Sequence, residues 1–367
     1  MFMNIFKKKK KVLVAMSGGV DSSVAAALLK QQGYDVVGVF LKFWNPSKNV
    51  CRENACCNYE SLQSARTVCD ILDIPLHVFD VANIFKKDVV DYFISEYEHG
   101  RTPNPCVVCN KKIKFGWLLD KAHKLGCDYL STGHYAKIEQ KNDYLELFVA
   151  KDKNKDQTYF LWQLSQDQLK SIIFPLGNYE KSEVRQLAKK FKLPTYNKPE
   201  SQDICFVHNG VKEFLKIYAQ KLKQPGDIVD INGVIVGNHE GLIYYTVGQR
   251  ENLPKIDGKK LSIEFDKHRM PAMYVLKLDV SKNQLVIGLK EDLLQKKLIA
   301  SDVNWLGEYV YECMAKIRYN SKLAKCHIQK TNSVFEISFI DSQLAVTPGQ
   351  SIVFYENNKL IGGGIIQ

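Results

Sequence analysis

The sequence predicts an α/β fold: a parallel sheet flanked by helices, then a small central domain and a C-terminal β-barrel. Three observations carry this prediction. The stretch Val12–Ser23 reads as a short apolar strand, a glycine-serine turn and the start of a helix. Apolar strands and helical stretches then alternate to about residue 208, the pattern of a parallel sheet covered on both faces. From about Gly210 the chain turns to short, glycine-punctuated strands, and from near Tyr274 to regular alternating strands that suit a small barrel. The expected domains are 1–208, 209–283 and 284–367.

In chain order, Val12–Ala15 is a buried strand, and Val24–Gly33 is a helix closed by a glycine. Between them Ser17, Gly18, Gly19, Ser22 and Ser23 offer hydroxyls and backbone N–H groups at a helix N-terminus. The helix dipole favours an anion there, and the glycines let it approach closely. No Gly-Lys-[Ser/Thr] follows, so this is not a Walker loop and it places no lysine on a terminal phosphate. Asp21 supplies a carboxylate suited to Mg²⁺. Tyr34–Leu41 is a second strand, followed by a polar, cysteine-bearing stretch to Cys57. Tyr59–Leu72 is a helix, Leu76–Asp80 a strand, and Phe85–Tyr97 a long amphipathic segment. Arg101–Phe115 begins as a stiff loop, because Pro103 and Pro105 bracket Asn104, and ends in a helix. The strand Asp128–Thr132 runs into Gly133, His134 and Tyr135 at the same carboxyl edge as the Ser17 loop, where open α/β sheets bind ligands. A basic loop spans 151–157, and Glu180–Phe191 is a helix with a basic face. Val211–Leu222 is a helix, after which short strands are expected at 226–231, 233–237 and 241–250, and later at Cys313–Tyr319 and Val334–Phe339.

Composition narrows the function. Among 367 residues, 51 Lys and Arg face 40 Asp and Glu, a net charge of +11 that favours a polyanionic partner such as nucleic acid. The N-terminal lysines follow a very short apolar run, the wrong order for a secretory signal, and no apolar run reaches bilayer length. A cytoplasmic protein with no membrane partner is expected. Its ten cysteines should then be thiols, thiolates or metal ligands rather than a disulfide framework. Cys51, Cys56 and Cys57 match no usual zinc spacing and read as plain thiols. Cys69, Cys127, Cys313 and Cys326 lie in apolar patterns, and they read as core residues together with Trp162 and Trp305.

The run Ser17-Gly-Gly-Val-Asp-Ser-Ser23 resembles the PP-loop of the ATP pyrophosphatases, which release pyrophosphate while transferring AMP. Thr102-Pro-Asn-Pro, Cys109-Asn-Lys-Lys-Ile-Lys-Phe115, Thr132-Gly-His-Tyr135, Lys155-Asp-Gln157, Asp203-Ile-Cys-Phe206, Tyr245-Thr-Val-Gly-Gln-Arg250 and Thr347-Pro-Gly-Gln350 together resemble the bacterial tRNA-specific 2-thiouridylase family, in its order and over nearly the whole chain. That resemblance implies a PP-loop domain that uses ATP to adenylate C2 of a wobble uridine in tRNA. Sulfur from a cysteine persulfide then replaces the oxygen, and AMP and pyrophosphate are released. By the same resemblance Cys205 carries the persulfide and Cys109 is the nucleophilic partner, with a disulfide between them after sulfur delivery. ATP falls on Ala15, Met16, Ser17, Gly18, Gly19, Val20, Asp21 and Ser22, on Leu41 and near Gly133. The target base meets Asn104, Pro105 and Cys106, and tRNA meets His134, Lys155, Asp156, Gln157, Arg318, Tyr319 and Gln350. A base must leave its stack before its C2 is reachable, and a stiff Asn-Pro loop can receive it. Mg²⁺ and a cysteine desulfurase or sulfur-relay protein are implied as well. Many family members carry aspartate where this chain has Cys106. Cys106, Cys109 and Cys205 are therefore also an alternative ligand set for an iron–sulfur cluster with one iron open to sulfide. Both working thiols should lie in electropositive, partly exposed surroundings, for which Lys111, Lys112 and Lys114 serve Cys109.

Overall fold

The computed structural model describes residues 9–46, 59–200, 204–262, 270–331 and 334–367. Packing divides the chain into two units, one drawn from Met1–Val90, Cys106–His208 and Asn357–Ile361, the other from Asp91–Pro105, Asn209–Glu356 and Gly362–Gln367.

The first unit is built on a sheet of β1 (Lys11–Ala15), β2 (Asp35–Lys42), β3 (Leu76–Asp80), β4 (Tyr129–Ser131) and β7 (Ile172–Ile173), in the order β3-β2-β1-β4-β7. Every pairing is parallel, with Val12 opposite Val36 on one side and Tyr129 on the other. Val12, Leu13 and Val14 are fully buried, as a strand covered on both faces requires. Helix α1 (Val20–Gln31) presents Val24, Ala25, Ala26, Leu28 and Leu29 to a core shared with Leu62, Ala65, Val68 and Cys69 of α2 (Tyr59–Ile71) and with Val184 and Ala188 of the helix Lys181–Lys190. Small alanines let α1 lie close against the sheet. Strand order runs outward from β1 in one direction through β2 and β3 and in the other through β4. The topological switch point therefore lies between β1 and β4, where ligands of such folds bind.

An antiparallel hairpin, β5 (Ala136–Lys141) and β6 (Tyr144–Val149), is also part of this unit, with Lys359 and Leu360 pairing to Phe148 and Leu147. The sequence reading assigned nothing here. The signal was present, since Asn142 takes a left-handed turn conformation (φ 52°) between two runs of alternating polarity. Two π-helical segments, Lys86–Val90 and Asn110–Trp117, lie in what read as a long amphipathic segment and as the helix ending the Arg101–Phe115 stretch.

In the second unit, β8 (Gly226–Val229), β9 (Ile235–His239), β10 (Tyr274–Asp279) and β11 (Gln284–Gly288) form a sheet ordered β10-β11-β8-β9 around Ile228, Val236, Leu242, Val275 and Leu285. The stretch 241–250, expected as a strand, is instead a 3₁₀ turn at Leu242–Tyr244 and a loop. Gly241 (φ 148°) and Gly248 (φ 88°) bend the backbone there, and Leu242, Ile243 and Tyr245 are buried as a plug rather than paired. Six strands, β12 (Leu294–Trp305), β13 (Glu312–Lys316), β14 (Ala324–Thr331), β15 (Val334–Leu344), β16 (Ser351–Glu356) and β17 (Lys359–Ile366), form the expected barrel in the order β12-β15-β14-β13-β16-β17. Pairing of β12 to Gly362–Ile366 closes it. Trp305 is only half-buried, stacked on Phe354, whereas Trp162 is fully enclosed. No helix among the described residues is long and apolar enough to cross a membrane.

Candidate active site

At the carboxyl end of β1, β2 and β4 a cavity of ≈ 260 Å³ opens, near the lower size of small-molecule sites. Ala15, Met16, Ser17, Asp21 and Ser22 line it from the loop, Leu41 from β2, and Gly133 and His134 from the end of β4; Lys114 and Gln157 complete the polar wall. Gly18 is left-handed (φ 76°), and a Cβ there would overlap the Ser61 carbonyl. A Cβ at Gly133 would sit 2.8 Å from the backbone N of Ser22, so this glycine lets the strand end touch the first turn of α1. The N-cap residue Gly19 supplies no side-chain cap. Ser22 Oγ accepts from Ser17 N at 3.2 Å, and Ser23 Oγ donates to Gly19 O at 2.7 Å, folding the loop on itself. The result is a preformed anion seat of backbone amides and hydroxyls at the positive end of a twelve-residue helix.

Asp21 is not open in this seat. Lys181 Nζ donates to both carboxylate oxygens at 2.7 Å, and Tyr135 Oη donates to Oδ1 at 2.8 Å. Lys181 also lies 3.1 Å from Glu200, which pairs with Lys155 at 2.7 Å and approaches Arg185 at 3.7 Å. Burial alone would raise the Glu200 carboxyl, but hydrogen bonds and charge from Lys155 and Lys181 outweigh it and hold it below the usual range. Burial first, then the Asp21 charge, pushes the Tyr135 phenol well up, so it stays a neutral donor. Sequence reading missed the Lys181 and Glu200 contributions, for which no local signal exists.

His134 is buried, with Nδ1 2.6 Å from Thr132 Oγ1 and its ring against Phe115 and Phe174. Burial, aided by the Lys114 charge, lowers its pKa well below the ordinary value, so the imidazole is neutral. Asp156 is buried too, accepting from Ala150 N and Thr158 Oγ1, and Gln157 Oε1 accepts from Tyr135 N. Of the trio 155–157, Lys155 is half-buried, with 35% of its side chain accessible and its ammonium paired to Glu200.

Cys106 is exposed, Cys109 buried and Cys205 half-buried. Cys109 departs from the partly exposed setting expected of it, because it closes the short helix Pro105–Cys109 just where the π-helical turn packs Ile113 and Phe115 inward. Among the described residues no group of three or more His, Cys, Asp or Glu is placed to hold a metal ion. Cys69, Cys127, Cys313 and Cys326 are core residues as expected, while Cys51, Cys56, Cys57 and Asp203 lie outside the described residues.

In the second unit the loop bearing Asn104 and Pro105 is clamped. Thr102 N donates to Pro348 O at 2.8 Å, Gln350 Nε2 donates to Thr102 O at 2.8 Å and Pro103 O at 3.3 Å, and Arg101 is paired to the buried Glu96. Arg318 donates to Ala345 O and, at 3.2 Å, to Thr347 Oγ1, with Tyr319 half-buried beside it. Gln350 and Arg318 thus brace the turn 345–350, and Gln350 ties that turn to the Asn-Pro loop.

Three family models match the chain: a tRNA methyl transferase HUP domain over residues 10–209, a tRNA methyl transferase PRC-barrel domain over 212–289, and an aminomethyltransferase beta-barrel domain over 295–366. The tRNA-specific 2-thiouridylase MnmA of Clostridioides difficile is 45% identical over 376 residues, covering 100% of this chain and 99% of the relative. The protein of the same name from Carboxydothermus hydrogenoformans and the tRNA-specific 2-thiouridylase MnmA 2 of Clostridium tetani are each 45% identical, covering 98% of both chains and 100% of both chains respectively.

Proposed function

The chain belongs to the tRNA-specific 2-thiouridylase family, and from that membership we propose that it thiolates C2 of the wobble uridine of tRNA at the expense of ATP. The observation that carries this reading is the 45% identity over the whole chain, joined to an anion seat that opens at the switch point of a parallel sheet. ATP is the adenylyl donor whose phosphates the seat of Ser17–Ser22 suits, with Leu41 and Gly133 beside it.

The uracil O2 attacks the α-phosphorus of ATP, the bond from that phosphorus to the bridging oxygen breaks, and pyrophosphate leaves with the electron pair. The N3 proton passes to water. The terminal sulfur of a Cys205 persulfide, loaded by a cysteine desulfurase or a sulfur-relay protein, adds to C2 and AMP departs. The Cys109 thiolate then attacks Cys205 Sγ, the persulfide S–S bond breaks with its electron pair on the sulfur left at C2, N3 regains a proton from water, and the products are 2-thiouridine and a Cys109–Cys205 disulfide, which an external dithiol reduces. Asp21 fits Mg²⁺, because that ion is held by one or two carboxylates together with substrate phosphates, and it would neutralise phosphate charge. Asn104, Pro105 and Cys106 receive the base, and Lys155, Arg318 and Tyr319 contact the tRNA. A cytoplasmic setting suits thiols that must be reduced after each turnover.

The test is sulfur transfer to unmodified tRNA with ATP, Mg²⁺, cysteine and a desulfurase, read as nucleosides. Loss of 2-thiouridine in Cys109→Ala and Cys205→Ala but not Cys106→Ala is expected. No product from wild type overturns the reading, and loss in Cys106→Ala as well overturns the two-cysteine division of labour. Methyl transfer, the chemistry in the names of two family models, needs neither thiol, so activity of Cys205→Ser on tRNA would favour it.

A further inference from the structure

The stretch Tyr245-Thr-Val-Gly-Gln-Arg250 takes no part in adenylation or sulfur transfer, yet its backbone is locked from several sides. Gln249 N donates to Thr246 O at 3.0 Å, closing a turn over Val247 and Gly248, and Gly248 (φ 88°) fills its left-handed position. Gly248 N donates to Val275 O at 2.8 Å and Val275 N donates to Gln249 O at 2.9 Å, tying the turn to β10. The Gln249 side chain pins both flanks, its Oε1 accepting from Thr246 N at 3.1 Å and its Nε2 donating to Glu251 O at 3.0 Å. Tyr245 is buried at one end of the stretch, and Arg250 emerges exposed at the other. Among the described residues no carboxylate pairs with Arg250, that of its neighbour Glu251 included. The loop therefore fixes where Arg250 stands and leaves its guanidinium available.

Two elements that the thiolation reading gives to tRNA touch this loop. Thr102 Oγ1 donates to Thr246 Oγ1 at 3.3 Å, two residues before Asn104. A Cβ on Gly248 would sit 2.8 Å from Ala345 Cβ and 3.5 Å from Arg318 Nη2, so glycine alone lets the turn at Ala345 and the Arg318 side chain come this close. Arg318 already donates to Ala345 O and Thr347 Oγ1, which leaves fewer of its N–H groups for a phosphate. Arg250, two residues from Gly248, sets a second guanidinium on the same loop with its donors uncommitted.

We propose that Arg250 binds the phosphate backbone of the anticodon loop beside the nucleotide that the Asn-Pro loop receives. Extruding a base unstacks it and turns the backbone on either side of it. A guanidinium on a rigid loop can hold a phosphate there through two parallel hydrogen bonds, with no further ordering of its own backbone. The inference rests on the thiolation reading and gives a binding role to a stretch which that reading leaves without one.

Filter binding of unmodified tRNA to wild type, Arg250→Ala and Arg250→Lys over a salt series, with phosphate-ethylation interference on the same tRNA, tests this. Arg250→Ala should bind roughly ten-fold more weakly, with a salt slope lower by about one, and should lose the interference at a phosphate flanking the wobble uridine. Arg250→Lys keeps the charge without the fork, so it should restore the slope and only part of the affinity. ATP binding should not change, because Arg250 makes none of the bonds that hold the loop. Unchanged tRNA affinity in Arg250→Ala would overturn the assignment. So would weaker binding with an unchanged slope, which marks a prop for the loop rather than a phosphate contact, or interference lost only outside the anticodon loop. Each of these leaves the thiolation reading in place, whereas wild type that binds no tRNA overturns that reading and the assignment with it.

Discussion

His134 shows how a single side chain is set by what surrounds it. A lone histidine after a strand reads as a polar loop residue, and its place among Phe115, Phe174 and Thr132 is set by packing that no local pattern reveals. Burial, with Lys114 adding to it, keeps the folded-state pKa well below 6.5, while the unfolded chain titrates near the ordinary value. Below pH ~6.5 the unfolded state therefore binds the extra proton, so the contribution to stability is fully present above that pH and is lost as pH falls through it. Urea unfolding from pH ~8 to ~5 should show stability falling by up to about 1.4 kcal/mol per pH unit for this one group. His134→Gln should flatten that slope in part, because His239, also lowered by burial, still contributes. A slope identical in His134→Gln and wild type would mean that the imidazole is protonated in the folded protein.

At the scale of elements, the legible parts of the site are those written in contiguous sequence. The β1–loop–α1 unit could be read because strand, glycine turn and helix follow one another within Lys11–Gln31 and each step is local. The ion pairs that complete it could not, since Asp21 meets Tyr135 and Lys181 only after the sheet is assembled. The clamp on the Asn-Pro loop is another such long-range element. Gln350 enters the sequence reading only as a residue that the resemblance puts near tRNA, yet its carboxamide donates to two carbonyls of the loop that two prolines leave short of internal hydrogen bonds. Gln350→Ala leaves those acceptors without this donor at a cost of about 1–2 kcal/mol, enough to raise KM for tRNA by roughly ten-fold. Gln350→Glu, which sets a carboxylate against the same carbonyls, should be worse than alanine. Steady-state kinetics with tRNA varied checks this, and ATP KM should be unmoved because the cradle takes its form from β1 and α1. Full activity in Gln350→Glu would show that the clamp does not position the loop.

For the whole molecule, the fold class and the barrel were legible because hydrophobic period and glycine spacing are properties of long stretches. The allegiance of Asp91–Pro105 was not, since that segment packs with the second unit through Phe93 and Tyr97 against Phe214 and the Thr246 hydroxyl. Net charge needs no such context. An excess of eleven positive charges over 367 residues leaves many lysines outside ion pairs with carboxylates, and a polyanion that binds them releases its own condensed counterions. A complex with six to ten phosphate contacts should lose ~10³- to 10⁵-fold in affinity between ~50 and ~200 mM salt, linearly on logarithmic axes. The cradle should behave differently, because a nucleotide seated there would meet amides, hydroxyls and a few fixed, part-buried charges that salt screens less than exposed ones. Titrating salt against tRNA affinity and, separately, ATP affinity should give a steep line for the first and a shallow one for the second. Neutralising Lys155 should lower the tRNA slope by close to one contact. A tRNA affinity that stayed flat with salt would show that the basic surface is solvated decoration and that tRNA is not the partner the charge selects.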